Sequence, residues 1–129
     1  TVPEATISAL RSLAEQGCKG RVVLIAGGSD KQLSYREFAA ITASLCKDVI
    51  LYKGAESDTA TDKMIHEYEQ CGFRSFVLVT SLKEAVNRAV GLAKKGESVL
   101  FSPGASSFGK FVNEFDRGAK FVREVRRIR

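Results

Sequence analysis

The sequence predicts an α/β domain with a Rossmann-like, three-layer fold and a mostly parallel sheet. Short apolar segments alternate with longer amphipathic ones, and glycines stand at the turns between them. The first apolar segment, 21–26, shows no polar alternation, which is typical of a strand buried on both faces. The chain has 129 residues, so we expect a single domain over 1–129.

The first helix is predicted over 3–16. Ile7 and Leu10 repeat at helical spacing, and Pro3 stands in the first turn, where its missing N–H has no helical partner to lose. Gly17 follows the last periodic residue and predicts the end of the helix. The strand at 21–26 comes next.

The second helix is predicted over 34–46. Its start carries a capping box, in which the side chains of Ser34 and Glu37 each bond a backbone N–H of the other residue. Phe38 lies on its apolar face. The second strand is predicted at 49–52, where apolar residues run without interruption.

The third helix is predicted over 58–71. Met64 and Tyr68 share one face at helical spacing, and Gly72 is suited to the left-handed position that ends many helices. The third strand follows at 76–79.

The fourth helix is predicted over 81–95, with a second capping box formed by Ser81 and Glu84. The fourth strand is predicted at 98–101. A last helix is expected to start near Phe108 and to bury an apolar face, whose members are Phe111, Phe115, Val122 and Val125.

The positive charge is concentrated at one end of the chain. The formal net charge is +5, and residues 117–129 hold six basic residues against Glu124, so the rest of the chain is neutral. A basic helix end also complements its own dipole. A nucleic-acid partner stays open as an alternative, although this distribution of charge favours a chain that binds no nucleic acid.

Several site chemistries are excluded by composition. Cys18, Cys46 and Cys71 form no CxxC pair, and His66 is the only histidine, so neither a metal site nor a Ser-His-Asp triad is expected. The chain has no phosphate-loop pattern. We therefore expect that this domain alone holds no nucleotide through a phosphate loop.

Two loops at predicted strand ends are rich in small and polar residues. One is Gly27-Gly28 followed by Lys31; the other contains Ser106 and Ser107 before a helix start, where free N–H groups favour an anion. An anion-binding corner is one interpretation, with the Thr1 hydroxyl near another helix start. A tight turn, a serine cap and a solvated lysine are the other.

Three stretches together resemble a known family. "TVPEATISAL", "LIAGGSDK" and "VLFSPGASSFGKFVNEFDRGAKF" are similar to the C-terminal domain of the D-glutamate-adding Mur ligases of peptidoglycan synthesis. The resemblance covers nearly the whole chain. Mur ligases that add other amino acids share the fold, and the "AGGSDK" and "NEFDRG" segments favour the D-glutamate-adding members.

The resemblance implies a Rossmann-like domain of an ATP-dependent amide ligase. Such enzymes have a UDP-binding domain, a central domain that binds ATP and Mg, and a C-terminal domain that brings D-glutamate to UDP-N-acetylmuramoyl-L-alanine. An acyl phosphate forms on the muramoyl-L-alanine carboxylate, and the D-glutamate amine attacks it. The first two domains are absent from this chain, so the resemblance implies no catalytic residue and no bound cofactor in this domain alone, and the isolated domain is expected to be inactive.

The resemblance also assigns site residues. Lys31 and Thr1 match residues that bind one D-glutamate carboxylate, Ser107 matches a serine that contacts the other, and Phe108 lies beside it. Gly27, Gly28 and Ser106 are expected to support the two loops. Val2 departs from the asparagine that the family often has there, and valine is a poor helix cap.

The remaining expectations concern surroundings and partners. No apolar run reaches the roughly 20 residues of a membrane span, so we expect no membrane contact. A cytoplasmic monomer is expected, and Thr1 indicates a processed chain or a piece of a longer protein. Two alternatives stay open: a free-standing binding module for a small anion or nucleic acid, and the equivalent domain of another Mur ligase.

Overall fold

The computed structural model describes residues 2–30, 32–106 and 113–128. Helices and strands alternate along them. The elements are α1 (Pro3–Leu13), β1 (Val22–Ala26), α2 (Arg36–Leu45), β2 (Asp48–Tyr52), α3 (Thr59–Cys71), β3 (Phe76–Val79), α4 (Leu82–Leu92), β4 (Ser98–Phe101) and α5 (Glu114–Arg126). A short π-helical turn, Ala14–Cys18, continues α1.

The four strands form one parallel sheet in the order β3-β2-β1-β4. Leu24 pairs with Val49 of β2 on one side and with Leu100 of β4 on the other. The predicted α/β class and parallel sheet are confirmed. The sheet runs outward from β1 through β2 to β3, and the chain then returns to place β4 on the opposite side of β1.

The sheet separates two layers of helices. Alternate residues of β1 face opposite sides: Leu24 belongs to the core beneath α1, α2 and α3, and Ile25 belongs to the core beneath α4. The first core also holds Phe38, Met64 and Tyr68, all fully buried. Because β1 is covered on both faces, its continuous apolar sequence is explained.

Most predicted boundaries lie within one residue of the observed ones. The strands at 76–79 and 98–101 coincide, and the other two shift by one residue to begin at Val22 and Asp48. Two helices end earlier than predicted. The α-helical part of α1 stops at Leu13, with Gly17 at φ +87° in the π-helical turn that follows, and α4 ends at Leu92.

The serine half of one predicted capping box is confirmed, and the other capping box is wrong. Ser81 Oγ accepts a hydrogen bond from Glu84 N at 3.1 Å at the start of α4. In α2 the cap position belongs to Tyr35, without a side-chain bond. Burial of the Tyr35 ring edge-on to Phe38 sets this start, which leaves Ser34 one residue outside the capping position.

The predicted apolar face of the last helix is wrong in part. Phe115 is 79% exposed, and Val122 and Val125 are both partly exposed. The inward positions are Arg117 and Phe121, whose ring stacks on Phe101 at a centroid distance of 4.2 Å. A residue two positions before Arg117 points away from the sheet because successive residues turn by about 100°.

The last described helix starts with a side-chain cap. Within the described residues α5 begins at Glu114, and Asn113 Oδ1 caps it by accepting from Asp116 N at 2.9 Å. The predicted start near Phe108, and the predicted burial of Phe111, lie outside the described residues. Across the described ranges, no helix combines the length and the apolar composition needed to cross a bilayer.

Candidate functional site: the junction of two strand-end loops

The order of the strands reverses between β1 and β4. Ligands in open parallel sheets bind beyond the carboxyl ends of the strands, where the strand order reverses. Here the reversal falls between these two strands. The loops that leave their carboxyl ends are 27–30 and 102–106 in the described residues, and we call them together the strand-end junction.

Backbone hydrogen bonds tie the two loops to each other. Ser29 N donates to Ser106 O at 2.8 Å, and Ser106 N donates back to Ser29 O at 3.0 Å. Nearer the sheet, Gly27 N donates to Pro103 O at 2.9 Å. The loops therefore run side by side, although they are far apart in sequence.

Gly28 permits this close approach. Its φ is +145°, and a Cβ built there would lie 2.3 Å from Ser106 O. Real Cβ atoms do not reach such distances, so any side chain would push the loops apart. Gly28 is thus explained by contact between the two loops, whereas a Cβ on Gly27 would lie 2.3 Å from Tyr52 O at the end of β2.

On the β2 side, α3 supplies two buried polar side chains. Thr61 Oγ1 accepts from Gly28 N at 3.0 Å and donates to Tyr52 O at 2.6 Å. Asp58 Oδ1 accepts from Ser29 Oγ at 3.1 Å. The other carboxylate oxygen accepts from Gly54 N and Ala55 N, so one side chain organises two strand-end loops.

On the β4 side, α5 supplies Arg117. The side chain is 5% exposed, and its NH1 donates to Ala105 O at 2.8 Å. Burial lowers the pKa of this guanidinium below its ordinary value, and the carboxylates of Glu114 and Asp58 oppose that shift. A positive charge is therefore buried next to the strand-end junction.

The start of the chain reaches the same edge of the sheet. Thr6 Oγ1 donates to Ser102 O at 3.1 Å and lies 2.8 Å from Ser102 Oγ. Thr6 is in the first turns of α1, so the N-terminal end of this helix lies at the strand-end junction. At the cap of α1, Val2 makes no side-chain hydrogen bond, as its residue type predicts.

Next to the predicted lysine, Asp30 is held by an ion pair. Lys63 Nζ lies 2.6 Å from Asp30 Oδ2, and Leu33 N donates to Asp30 Oδ1 at 3.2 Å. Burial acts to raise the pKa of Asp30, but these bonds outweigh it and hold the pKa below its ordinary value. The carboxylate is therefore fixed as an anion by α3.

The structure brings together the predicted supporting residues. Gly27, Gly28 and Ser106 all lie in the strand-end junction. The four residues predicted to contact D-glutamate lie outside the described residues: Thr1, Lys31, Ser107 and Phe108. Two of them adjoin described residues of the junction directly in sequence, since Lys31 follows Asp30 and Ser107 follows Ser106.

Ser106 carries a further feature. Its hydroxyl oxygen is buried and, among the described residues, has no hydrogen-bond partner. Buried hydroxyls are normally satisfied, and an unsatisfied one requires an explanation. The backbone N–H groups of residues 27, 28 and 29 are all engaged by protein acceptors, so they offer no phosphate cradle.

Sequence reasoning missed Asp58, Thr61 and Arg117. Asp58 was assigned only to a helix start, and Arg117 was counted only among the basic residues of 117–129. A weak signal existed for Arg117, because it falls one helical turn before Phe121 on the inward face. No local signal showed that Asp58 bonds Ser29 or that Thr61 bonds Gly28, because both partners lie about 30 residues earlier in the chain.

Comparison with known proteins decides the family. Residues 1–105 match the family described as "Mur ligase, glutamate ligase domain". The chain belongs to the Mur ligase family. This confirms the resemblance drawn from the "AGGSDK" and "SPGASSFGKFVNEFDRG" segments, of which the matched range contains the first and the start of the second.

Curated Mur ligases are similar over almost the whole chain. A UDP-N-acetylmuramoylalanine–D-glutamate ligase of Borreliella burgdorferi (strain ZS7) is 39% identical over 99% of this chain and 27% of its own length. The ligase of the same name from Roseiflexus sp. (strain RS-1) is 41% identical over 97% and 25%. That of Treponema pallidum (strain Nichols) is 39% identical over 99% and 22%.

A solved structure supports the fold. The murein peptide ligase of Psychrobacter arcticus 273-4 matches 100% of this chain and 26% of its own with a TM-score of 0.67, at 12% identity. Likeness at this identity supports the architecture alone. The chain spans about a quarter of the length of the relatives it matches.

Proposed function

We propose that this chain is the C-terminal, amino-acid-binding domain of an ATP-dependent ligase that adds D-glutamate to UDP-N-acetylmuramoyl-L-alanine. The observation that carries the proposal is the two-way backbone bridge between Ser29 and Ser106. It joins the two loops from which the predicted D-glutamate residues continue, at the edge where such sheets bind ligands. The names of the similar ligases support the same substrate.

The proposed site binds a dianion from two sides. Lys31 and Thr1 would hold one carboxylate of D-glutamate, and Ser107 would contact the other, with Phe108 beside it. Gly27, Gly28 and Ser106 support these residues through the strand-end junction. An ammonium and hydroxyl groups suit carboxylates, because hydrogen bonds to an ionised acceptor are stronger than those between neutral groups.

The proposed reaction forms one amide bond. The D-glutamate amine attacks the activated carbonyl carbon of muramoyl-L-alanine, phosphate leaves, and the amine loses a proton. ATP and Mg, bound mainly by a central domain outside this chain, would supply the activating phosphoryl group. The task of this domain is to hold D-glutamate so that its amine faces the activated carbonyl.

The described residues do not fit ATP or magnesium. They contain no group of three or more histidine, cysteine, aspartate or glutamate side chains that could hold a metal ion. The N–H groups of the glycine loop are already bonded within the protein. We therefore propose that the isolated domain hydrolyses no ATP above a heat-killed control in a phosphate-release assay. We also propose that the protein is a cytoplasmic monomer.

The acceptor specificity tests the proposal. The full-length ligase would be supplied with ATP, UDP-N-acetylmuramoyl-L-alanine and one amino acid at a time: D-glutamate, L-glutamate, L-lysine or L-alanine. We expect product only with D-glutamate. Product with another amino acid would instead identify the equivalent domain of a different Mur ligase, and absence of product with all four would contradict the proposed addition of D-glutamate to this acceptor.

The basic tail gives the second candidate function, nucleic-acid binding, little support. Arg117 is buried, Lys120 Nζ lies 3.1 Å from Asp116 Oδ2, and Arg127 NH1 lies 3.1 Å from Glu124 Oε1. Duplex DNA should therefore bind no tighter than about 10⁻⁴–10⁻⁶ M near physiological salt, without sequence preference. Submicromolar, sequence-selective binding would favour this candidate instead.

A further inference from the structure

Arg117 is a buried cation without a close ion pair among the described residues. It is 5% exposed, and the one hydrogen bond of its guanidinium in that part of the chain goes to the carbonyl of Ala105. The carboxylates of Glu114 and Asp58 act on its charge, but none of the ion pairs between described residues includes Arg117. Buried charges are usually paired, because removing an ion from water is costly unless a counter-charge compensates.

The position of Arg117 relative to the two loops is specific. The acceptor, Ala105, directly precedes Ser106, which is bridged to Ser29 of the other loop. A Cβ placed on Gly28 would lie 3.5 Å from Arg117 NH1, so the guanidinium also borders the loop that follows β1. One side chain of α5 therefore contacts the β4 loop and lies against the β1 loop.

The hydroxyl of Ser106 indicates a role for the buried charge of Arg117. Ser106 Oγ is buried beside this contact and has no partner within the described ranges. Within the described residues, the Ser106 hydroxyl without a partner and the guanidinium without a close ion pair thus flank the same peptide segment. Groups of this kind, placed where a sheet binds ligands, favour an anion, whereas an apolar side chain would cover the loop at a lower desolvation cost.

We infer that Arg117 is a positioning residue for the carboxylate site of the strand-end junction. By holding the Ala105 carbonyl it fixes Ser106 against Ser29, and its buried charge makes the junction favourable for an anionic substrate. The inference rests on the proposed function, with D-glutamate as that substrate. Arg117 acts through the loop, since it is too buried to contact the amino acid itself.

The test uses the full-length ligase with three variants. Arg117→Met removes the charge and the hydrogen bond while keeping an unbranched chain, and Arg117→Lys keeps the charge alone. Arg123→Met is the matched control, because Arg123 is exposed on the same helix. The KM values for D-glutamate, ATP and UDP-N-acetylmuramoyl-L-alanine, the kcat and the thermal unfolding midpoint would be measured for each protein.

We expect Arg117→Met to raise the KM for D-glutamate about tenfold or more, the scale of losing the charge-assisted hydrogen bond that holds the Ala105 carbonyl. The other two KM values should stay within about twofold, and kcat should change less than the D-glutamate KM. Arg117→Lys should recover part of the loss because the charge remains. Arg123→Met should match the parent.

Two results would overturn the inference while leaving the proposed function intact. One is a folded Arg117→Met enzyme whose D-glutamate KM equals that of an active parent. The other is an equal rise of all three KM values, which would indicate a general structural role. If Arg117→Met does not fold, the same criteria apply to Arg117→Lys. A parent that uses no D-glutamate would refute the proposed function and this inference together.

Discussion

The chain passes from a strand into a helix both after β3 and at the strand-end junction, but the two connections are held by different kinds of hydrogen bond. After β3, the chain enters α4 through a local cap, in which Ser81 Oγ accepts from a backbone N–H three residues later. After β1, the chain enters α2 without a side-chain cap. Its loop is held instead by residues of α3 and of the β4 loop, tens of residues away.

The difference separates a structural turn from a candidate site. A local cap satisfies a helix start and gathers no other groups, and Ser81 and Glu84 are both exposed. Long-range bonds bring the polar groups of several elements to one point. At the strand-end junction they bury Asp58 and Arg117 on opposite sides of two bridged loops.

The largest expected effect is at the glycine of the strand-end junction. Gly28→Ala would place a methyl group 2.3 Å from Ser106 O at a positive φ, so we expect a loss of at least about 2 kcal/mol of unfolding free energy. Urea unfolding of the chain would measure it. Gly91→Ala is the control, because Gly91 is helical with open space around it and should gain about 0.5–1 kcal/mol. Equal changes in unfolding free energy for the two variants would mean that the two loops of the strand-end junction are not in contact at Gly28.

A smaller effect should distinguish the two bridged serines. Ser29→Ala removes a donor to the buried Asp58 carboxylate and should cost about 1.5–3 kcal/mol. Ser106→Ala removes a hydroxyl without a partner in the described part of the chain, so its stability should stay within about 0.5 kcal/mol of the parent. Thermal unfolding of both variants checks the ranking, and a larger loss for Ser106→Ala would reverse the account of this bridge.

The smallest effect concerns the two serines predicted to cap helices. Ser81→Ala deletes a formed cap and should lower stability by about 1 kcal/mol. Ser34 Oγ lies 3.4 Å from Arg36 N in an exposed turn, so Ser34→Ala should change stability by less than about 0.5 kcal/mol. Comparable losses in chemical denaturation would mean that the capping box at 34–37 forms after all.

The fold could be predicted because its signals are local. Continuous apolar runs identified all four strands, and Gly72 at φ +75° ends α3 as predicted. Errors occurred where tertiary packing overrides a local pattern. The ring of Tyr35 displaces a helix start, and the burial of Arg117 turns Phe115 outward.

The candidate site could be predicted only in outline. The two loops were recognised from their small and polar residues, and their proximity followed from the rule that carboxyl ends of parallel strands share one edge. The residues that join them could not be found in this way. Asp58 and Thr61 act through partners in other elements, and a buried arginine in a basic segment is indistinguishable in sequence from solvated ones.

The central claim is that the strand-end junction, and not the locally capped end of β3, positions D-glutamate. Lys31 adjoins the junction in sequence, and Lys83 lies exposed in the first turn of α4 after β3. The full-length ligase carrying Lys31→Ala should lose roughly 2–4 kcal/mol in kcat/KM for D-glutamate, with the KM for ATP and the unfolding midpoint unchanged. Lys83→Ala should match the parent. Unchanged D-glutamate kinetics in Lys31→Ala, or an equal loss in Lys83→Ala, would contradict the claim.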